Sequence, residues 1–283
     1  MKLIVDSGST KADWIAIDNN GNVLFTTNTL GLNPEVLNKE EILKRLNAQS
    51  QLVENKLNAT HLHFYGAGCG TQRMVDFLTD IFKEYFSNAI ISVKEDTYAA
   101  VFATTDKNEK AIVCILGTGS NCSYFDGTIL HQKVQSLGYI AMDDCSGNRF
   151  GRHLIRYYYF NQMPKELASK FEEKYNLEAD VIKHNFYKEP NPNAYLASFA
   201  GFLIEHKQTD FCQKIIREEI EKFVQFYIKQ FDDYKQVPVN FVGSIAYLLK
   251  DELQAILAEH QIKIGNICQK PIDGLIQYHV LND

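Results

Sequence analysis

Apolar residues fall in short runs along this chain, and each run breaks on small polar residues. Leu3 to Val5 predicts a buried strand that enters Asp6-Ser7-Gly8-Ser9-Thr10, a turn-forming cluster. Trp14 to Ile17 and Val23 to Phe25 predict two more strands, joined at Asn19-Asn20-Gly21-Asn22. Asn and Gly tolerate positive φ, so that linker reads as a hairpin. Residues 39–56 predict one amphipathic helix, with Ile42, Leu43, Leu46, Leu52 and Val53 as apolar positions. His61 to Tyr65 predicts a strand ending in Gly66-Ala67-Gly68-Cys69-Gly70, and Met74, Phe77, Leu78, Ile81 and Phe82 follow at helical spacing. Ile90 to Val93 predicts a further strand, with Asp96 just beyond it and a helix starting at Thr97.

The same succession then returns. Ala111 to Leu116 is an apolar strand running into Gly117-Thr118-Gly119-Ser120. Strands at Asn121 to Phe125 and Ile129 to Val134 follow, joined through Asp126-Gly127. A repeat of this length indicates duplicated domains rather than a solenoid. Beyond it the chain turns helical, and residues 210–231 carry an apolar stripe that includes Ile215, Ile216, Ile220, Phe223 and Val224. Val239 to Val242 predicts a last strand, entering Gly243-Ser244 and a helix through Leu249.

Alternating strands and helices imply an α/β protein with a mainly parallel sheet covered on both faces. Ligands of such sheets sit beyond the carboxyl ends of the strands. Four strands here end in Gly/Ser/Thr loops or a carboxylate, and that convergence marks a site. The duplication divides the chain into an N-terminal lobe, 1–109, and a C-terminal lobe, 110–283, with the last helix a candidate to pack back on the first.

Composition narrows the function. The 283 residues are 45% hydrophobic and 12% aromatic, enough for a sizeable core and unlike a disordered chain. The net charge of −6 comes with Lys and Arg spread along the chain, which argues against a nucleic-acid partner. The first apolar run is too short for a signal peptide, and no stretch approaches a membrane span. The six cysteines form no C-x-x-C pair, which argues against zinc and a disulfide framework. Together these imply a cytoplasmic protein with reduced thiols and no membrane partner.

Glycine loops let backbone N–H groups approach an anion closely, and the hydroxyls of Ser9, Thr10, Thr118 and Ser120 add donors. Two such loops suit a triphosphate with Mg²⁺. Asp6 would hold the metal, through water, and Lys11 would offset phosphate charge. Read alone, Asp6–Thr10 is a plain turn about as often as a phosphate site, Gly117–Ser120 somewhat more often and Gly243-Ser244 clearly more often; their joint occurrence decides. Trp14 reads as strand packing, Asp13 as a solvated hairpin carboxylate, His61 and His63 as ordinary strand residues, and Cys145 as a structural thiol.

Taken together, these residues carry a resemblance. Asp6-Ser-Gly-Ser-Thr-Lys-Ala-Asp-Trp14 resembles the first phosphate motif of the N-acetylglucosamine kinases and related BadF-type ATPases, in the sugar kinase/actin/heat-shock ATPase superfamily. Gly117-Thr-Gly-Ser-Asn-Cys122 resembles their second, and Phe241-Val-Gly-Ser-Ile-Ala246 their adenosine motif. The resemblance spans nearly the whole chain. It implies two ribonuclease-H-like lobes of the actin/hexokinase type, hinged over a nucleotide cleft, each with a mixed sheet flanked by helices. It implies ATP and Mg²⁺ as cofactors, with Asp6, Gly8, Ser9, Thr10, Lys11, Gly117, Thr118, Gly119, Ser120, Gly243 and Ser244 on the nucleotide side. Asp96 matches the catalytic base. Asn33, Gly66, Gly68, Asn121, Gly138 and Asp143 match sugar-side positions. One stretch departs: the family shows Gly-Asp-Glu-Gly-Ser-Gly where this chain has Met142-Asp-Asp-Cys-Ser-Gly147, so the contact of Asp143 with sugar is open.

The favoured function is an amino-sugar kinase acting on N-acetylglucosamine, at the 6-hydroxyl as the resemblance implies. N-acetylmuramic acid and glucosamine are alternative substrates. A BadF-type ATPase that activates a radical dehydratase is a second reading, faintly supported by Cys145. A non-catalytic sugar sensor is a third; a first strand at Leu3 and the retained Asp6 and Asp96 argue against it. A homodimer is left open.

Overall fold

The computed structural model describes residues 1–8 and 11–282. The chain forms two compact units, Met1–Lys107 with Lys270–Asp283, and Asn108–Gln269.

The first unit opens with β1 (Lys2–Ser7), β2 (Lys11–Ile17) and β3 (Val23–Leu30), then α1 (Lys39–Asn47) and α2 (Ser50–Asn55). It continues through β4 (His61–Gly66), α3 (Gln72–Tyr85), β5 (Ile90–Glu95) and α4 (Asp96–Thr104). The strands form one sheet in the order β3-β2-β1-β4-β5. β1 runs antiparallel to β2, which runs antiparallel to β3; β1, β4 and β5 are parallel. The sheet is therefore mixed where alternation alone suggested a mainly parallel one, because the opening hairpin supplies two antiparallel pairings.

β1 is central and its side chains alternate between faces. Leu3 and Val5 pack with Trp14, Phe64, Leu78 and Phe82 beneath Ile42, Leu46 and Leu52 of α1 and α2. Ile4 faces the other way, into a second cluster with Tyr65 and with Ala99 of α4. Each fully buried aliphatic side chain contributes about 1.5–3 kcal/mol. Asp6 lies two residues after Ile4, so it shares the α4 face of the sheet.

The helix expected over 39–56 is two helices. Asn38 caps α1 through a bond from the Glu41 N–H at 2.9 Å, and the chain turns extended at Gln49. A continuous helix would place Leu52 about 240° round from Leu46, at 100° per residue. The break lets Leu52 reach the core and leaves Val53 38% exposed.

The second unit repeats the plan. β6 (Ala111–Leu116), β7 (Ser120–Phe125) and β8 (Leu130–His131) are joined by β9 (Val239–Val242) and β10 (Ile264–Cys268) in the order β10-β9-β6-β7-β8. Read from the other edge, this is the strand order of the first sheet. β8 is shorter than the expected Ile129 to Val134 because Asp126 accepts from the N–H groups of Thr128 and Ile129, both at 2.8 Å, and closes a tight turn. The helices are α5 (Gly147–Tyr159), α6 (Lys165–Lys174), α7 (Ala179–Tyr187), α8 (Pro192–Ser198), α9 (Ala200–Glu205), α10 (Asp210–Phe226), α11 (Ser244–Leu248) and α12 (Lys250–Glu259). Their core joins Ile112, Cys114 and Leu116 to Phe150, Phe202, Ile216 and Phe223. The chain ends in α13 (Pro271–Asn282), which belongs to the first unit and packs Ile272 and Leu275 against Ile4. Among the described residues, no helix is long and apolar enough to cross a membrane.

Candidate active site

In the first unit, the carboxyl ends of β1, β4 and β5 gather the acidic candidates. Asp6 pairs with Asp13 across β2 and with Tyr65 across β4, and Tyr65 pairs with Lys94 of β5. Asp96 comes two residues after Lys94 and is the first residue of α4. The cap position of that helix belongs to Glu95, whose side chain makes no capping bond. Asp96 lies one residue inside that position, and its carboxylate accepts from first-turn N–H groups at 96 and 97.

Both carboxyls are perturbed. Burial, then the charges of Asp96 and Asp13, push Asp6 up to about 7. Burial, then Glu95, push Asp96 up to about 6, against backbone N–H groups at 96 and 97 that pull it down. Asp6 is thus a half-buried carboxyl whose charged form burial and the neighbouring carboxylates disfavour. Lys11 does not answer them: its ammonium lies 2.6 Å from Asp13, and both side chains are largely exposed. A Cβ at Gly8 would lie 3.6 Å from the Lys11 carbonyl, an ordinary contact. Ser9 and Thr10 lie outside the described residues.

The sugar-side candidates of this unit also meet. Gly68 has φ of 84°, and a Cβ there would fall 2.0 Å from Asn33 Oδ1. That oxygen accepts from the Glu35 N–H at 2.9 Å, so Asn33 is set against the Gly66–Gly70 loop. A Cβ at Gly66 would strike the Phe64 ring at 2.3 Å. Ser7 ties the neighbourhood together: its Oγ accepts from the Leu32 N–H at 3.1 Å and its carbonyl from the Ala67 N–H at 2.8 Å.

In the second unit, the loop between β6 and β7 is turned by its own carbonyls. Gly117 N–H donates to Gly119 O at 3.0 Å; Gly117 O accepts from Gly147 N–H at 2.8 Å, and Thr118 O from Asn148 N–H at 3.0 Å. The N-terminus of α5 thus holds the loop by its carbonyls. The N–H groups of Thr118 and Gly119 meet no acceptor among the described residues. Ser120 Oγ is buried and likewise unpartnered. Free donors on one loop are what a phosphate requires. Gly243, at φ 121°, packs on the base of this loop; a Cβ there would lie 2.3 Å from Leu116 O. The nucleoside candidate thus reaches the phosphate candidate, and the exposed Ser244 opens α11 beside it.

Asp143 is buried against the same loop, close enough that a Cβ on Gly119 would lie 2.7 Å from its Oδ2. Gly138 adopts φ of 76°, and its carbonyl accepts from Met142 N–H at 2.9 Å. Asn121 is half-buried on β7, and its Oδ1 accepts from Ser123 Oγ at 3.1 Å. Cys145 is wholly buried, and burial, then Glu219 and Asp144, push its thiol far up, so it is an inert structural thiol.

Sequence reasoning passed over the support beneath Asp143. Glu219 is wholly buried and bonds His153 at 2.8 Å, Lys222 at 2.7 Å and the Cys145 N–H at 3.1 Å. Burial alone would raise its carboxyl; those partners outweigh burial and bring it down to about 2. Its signal was present, since Glu219 stands in phase with Ile215, Ile216 and Phe223 on the buried stripe of α10. Asn148, which bonds Asp143, gave no such signal.

No protein-family model matches the sequence, and no curated protein does. Among solved structures, a Porphyromonas gingivalis protein provisionally named an N-acetylglucosamine kinase is 32% identical over 100% of this chain and 99% of its own, with a TM-score of 0.91. A Chromobacterium violaceum protein, provisionally named likewise, is 15% identical with a TM-score of 0.72, covering 98% of this chain and 99% of its own. A ROK family glucokinase of Streptomyces griseus, solved with glucose and AMPPNP, is 14% identical with a TM-score of 0.58, covering 99% of this chain and 98% of its own. The last two share the fold.

Proposed function

Because this chain belongs to the N-acetylglucosamine kinase/BadF-type ATPase family, within the actin/hexokinase-type sugar kinases, we propose that it phosphorylates N-acetylglucosamine on the 6-hydroxyl at the expense of ATP. The observation that carries the reading is Asp96, a half-buried carboxyl at a strand-to-helix junction that burial and Glu95 push up to about 6. At neutral pH it is mostly ionised, with a pKa close enough to 7 to accept a proton efficiently.

Phosphoryl transfer asks a protein mainly for positioning and charge stabilisation. The free N–H groups of Thr118 and Gly119 and the unpartnered Ser120 hydroxyl would hold phosphate oxygens. Gly243, with no side chain, lets the nucleoside approach that loop. Asn33, the Gly66–Gly70 loop, Asn121, Gly138 and Asp143 would bind the sugar. Its hydroxyl proton passes to the Asp96 carboxylate as the new O–P bond forms; the bond to the bridging oxygen breaks, and ADP leaves.

The residues also fit Mg²⁺. Asp6 is raised because burial and neighbouring carboxylates disfavour its charge, and a cation would relieve both causes. Among the described residues no cluster of three or more His, Cys, Asp or Glu could cage a metal. Asp6 would therefore hold Mg²⁺ together with water and phosphate oxygens. Bound there, the ion would neutralise charge on the phosphates.

Phosphorus NMR of the product tests this reading. A single new phosphomonoester on carbon 6 of N-acetylglucosamine is expected. Product only from N-acetylmuramic acid or glucosamine, or phosphate on another carbon, would overturn it.

A further inference from the structure

The turn carrying Asp143 uses residues ill suited to its backbone. Asp143 and Cys145 have φ of 65° and 60°, a left-handed region that glycine occupies most easily. Glu219 steadies it through the Cys145 N–H, and Arg149 through Asp144 at 3.0 Å. The Asp143 carboxylate itself is gripped by one side chain. Asn148 Nδ2 donates to Asp143 Oδ2 at 2.9 Å. The same oxygen lies against Gly119. Oδ2 is thereby committed on two sides, and Oδ1 meets no donor among the described residues.

Asn148 is wholly buried, and its own Oδ1 has no partner among the described residues. An unsatisfied buried acceptor is destabilising, so the side-chain carbonyl is not what holds an Asn at this position. What the amide supplies is its N–H₂ group, aimed at Asp143. The backbone N–H of the same residue anchors Thr118 O. One residue thus fixes both the carboxylate and the phosphate-side loop.

We propose that Asn148 is a positioning residue for the sugar: it sets the Asp143 carboxylate so that Oδ1 accepts from a sugar hydroxyl, in register with the Gly117–Ser120 loop. The inference rests on Asp143 contacting sugar. Side-chain substitutions at 148 leave the backbone bond to Thr118 intact, so they separate sugar binding from nucleotide binding.

A double-mutant cycle tests it, with kcat and both KM values measured for wild type, Asn148→Ala, Asp143→Ala and the double variant. Asn148→Ala should raise the KM for N-acetylglucosamine roughly tenfold or more, the usual effect of losing a bond to a charged group. The KM for ATP should stay within about twofold, and kcat should change far less than the sugar KM. Added to Asp143→Ala, the Asn148 change should do nothing further. Multiplicative effects, or an equal rise in both KM values, would overturn the inference. An Asp143→Ala enzyme with unchanged sugar KM would instead remove the reading of Asp143. Asn148→Leu keeps the volume without the donor and guards against misfolding; a folded Leu variant with wild-type sugar KM would also overturn the inference.

Discussion

Replacing Asp96 by Asn should make a more stable protein and a much poorer enzyme. Asp96 titrates at about 6 in the fold against 3.8 when free. At about 1.4 kcal/mol per pH unit, ionising it in place costs about 3 kcal/mol once the pH exceeds both values. Asn is neutral and nearly isosteric, so it removes much of that cost. A gain of about 1–3 kcal/mol at pH 8 corresponds to a Tm higher by roughly 2–5 °C. The gain should vanish below about pH 4, where Asp96 is protonated in both states. Asn cannot accept the sugar proton, and kcat should fall by about 10²–10⁴-fold, or about 3–5 kcal/mol of barrier. ATP affinity should be unchanged. The assays are thermal melts at pH 4 and pH 8 and steady-state kinetics at saturating substrates. A folded Asp96→Asn enzyme with near-normal kcat refutes the assignment; lost stability at pH 8 refutes the electrostatic reasoning.

The other expectations are briefer. Asp6→Ala should abolish Mg²⁺-dependent turnover, and turnover equal to wild type would contradict its role. Because Asp6 is raised to about 7, it lowers ligand-free stability as pH rises from about 4 to about 7. Asp6→Asn should therefore flatten the Tm profile over that window, and parallel profiles for variant and wild type would count against it. Cys145→Gly relieves a left-handed cysteine and should raise Tm slightly or leave it unchanged, measured by calorimetry; a fall of several degrees would show that thiol packing outweighs backbone strain. Gly243→Ala drives a methyl towards Leu116 O at a φ of 121°; it should weaken nucleotide binding and lower Tm, and normal values for both would contradict the packing described.

Much of the architecture was legible because central strands are buried on both faces. β1 and β6 therefore read as continuous apolar runs, and both halt on small polar loops. β10 escaped notice because Ile264–Cys268 carries Gly265 and Asn266 at an edge, where a strand needs few apolar residues. The break at Gln49 depends on where Leu52 must point, which is tertiary information. Among site residues, Asp6 and the Gly117–Ser120 loop could be read from chemistry at strand ends, whereas Asp96 needed the family resemblance to rise above a helix cap. Glu219 was readable by helical phase, a charge on an apolar stripe. Asn148 was not, since nothing in Ser-Gly-Asn-Arg marks an amide folded back on Asp143.

The central claim is sugar-dependent transfer from ATP, and ADP release coupled to a reporter enzyme measures it directly. Purified protein with ATP and Mg²⁺ would be assayed against N-acetylglucosamine, N-acetylmannosamine, N-acetylmuramic acid, glucosamine and glucose, with no sugar as the blank. ADP release well above the blank with N-acetylglucosamine, and weaker with the others, is the expected result. ADP release that is the same with and without every sugar would contradict the account.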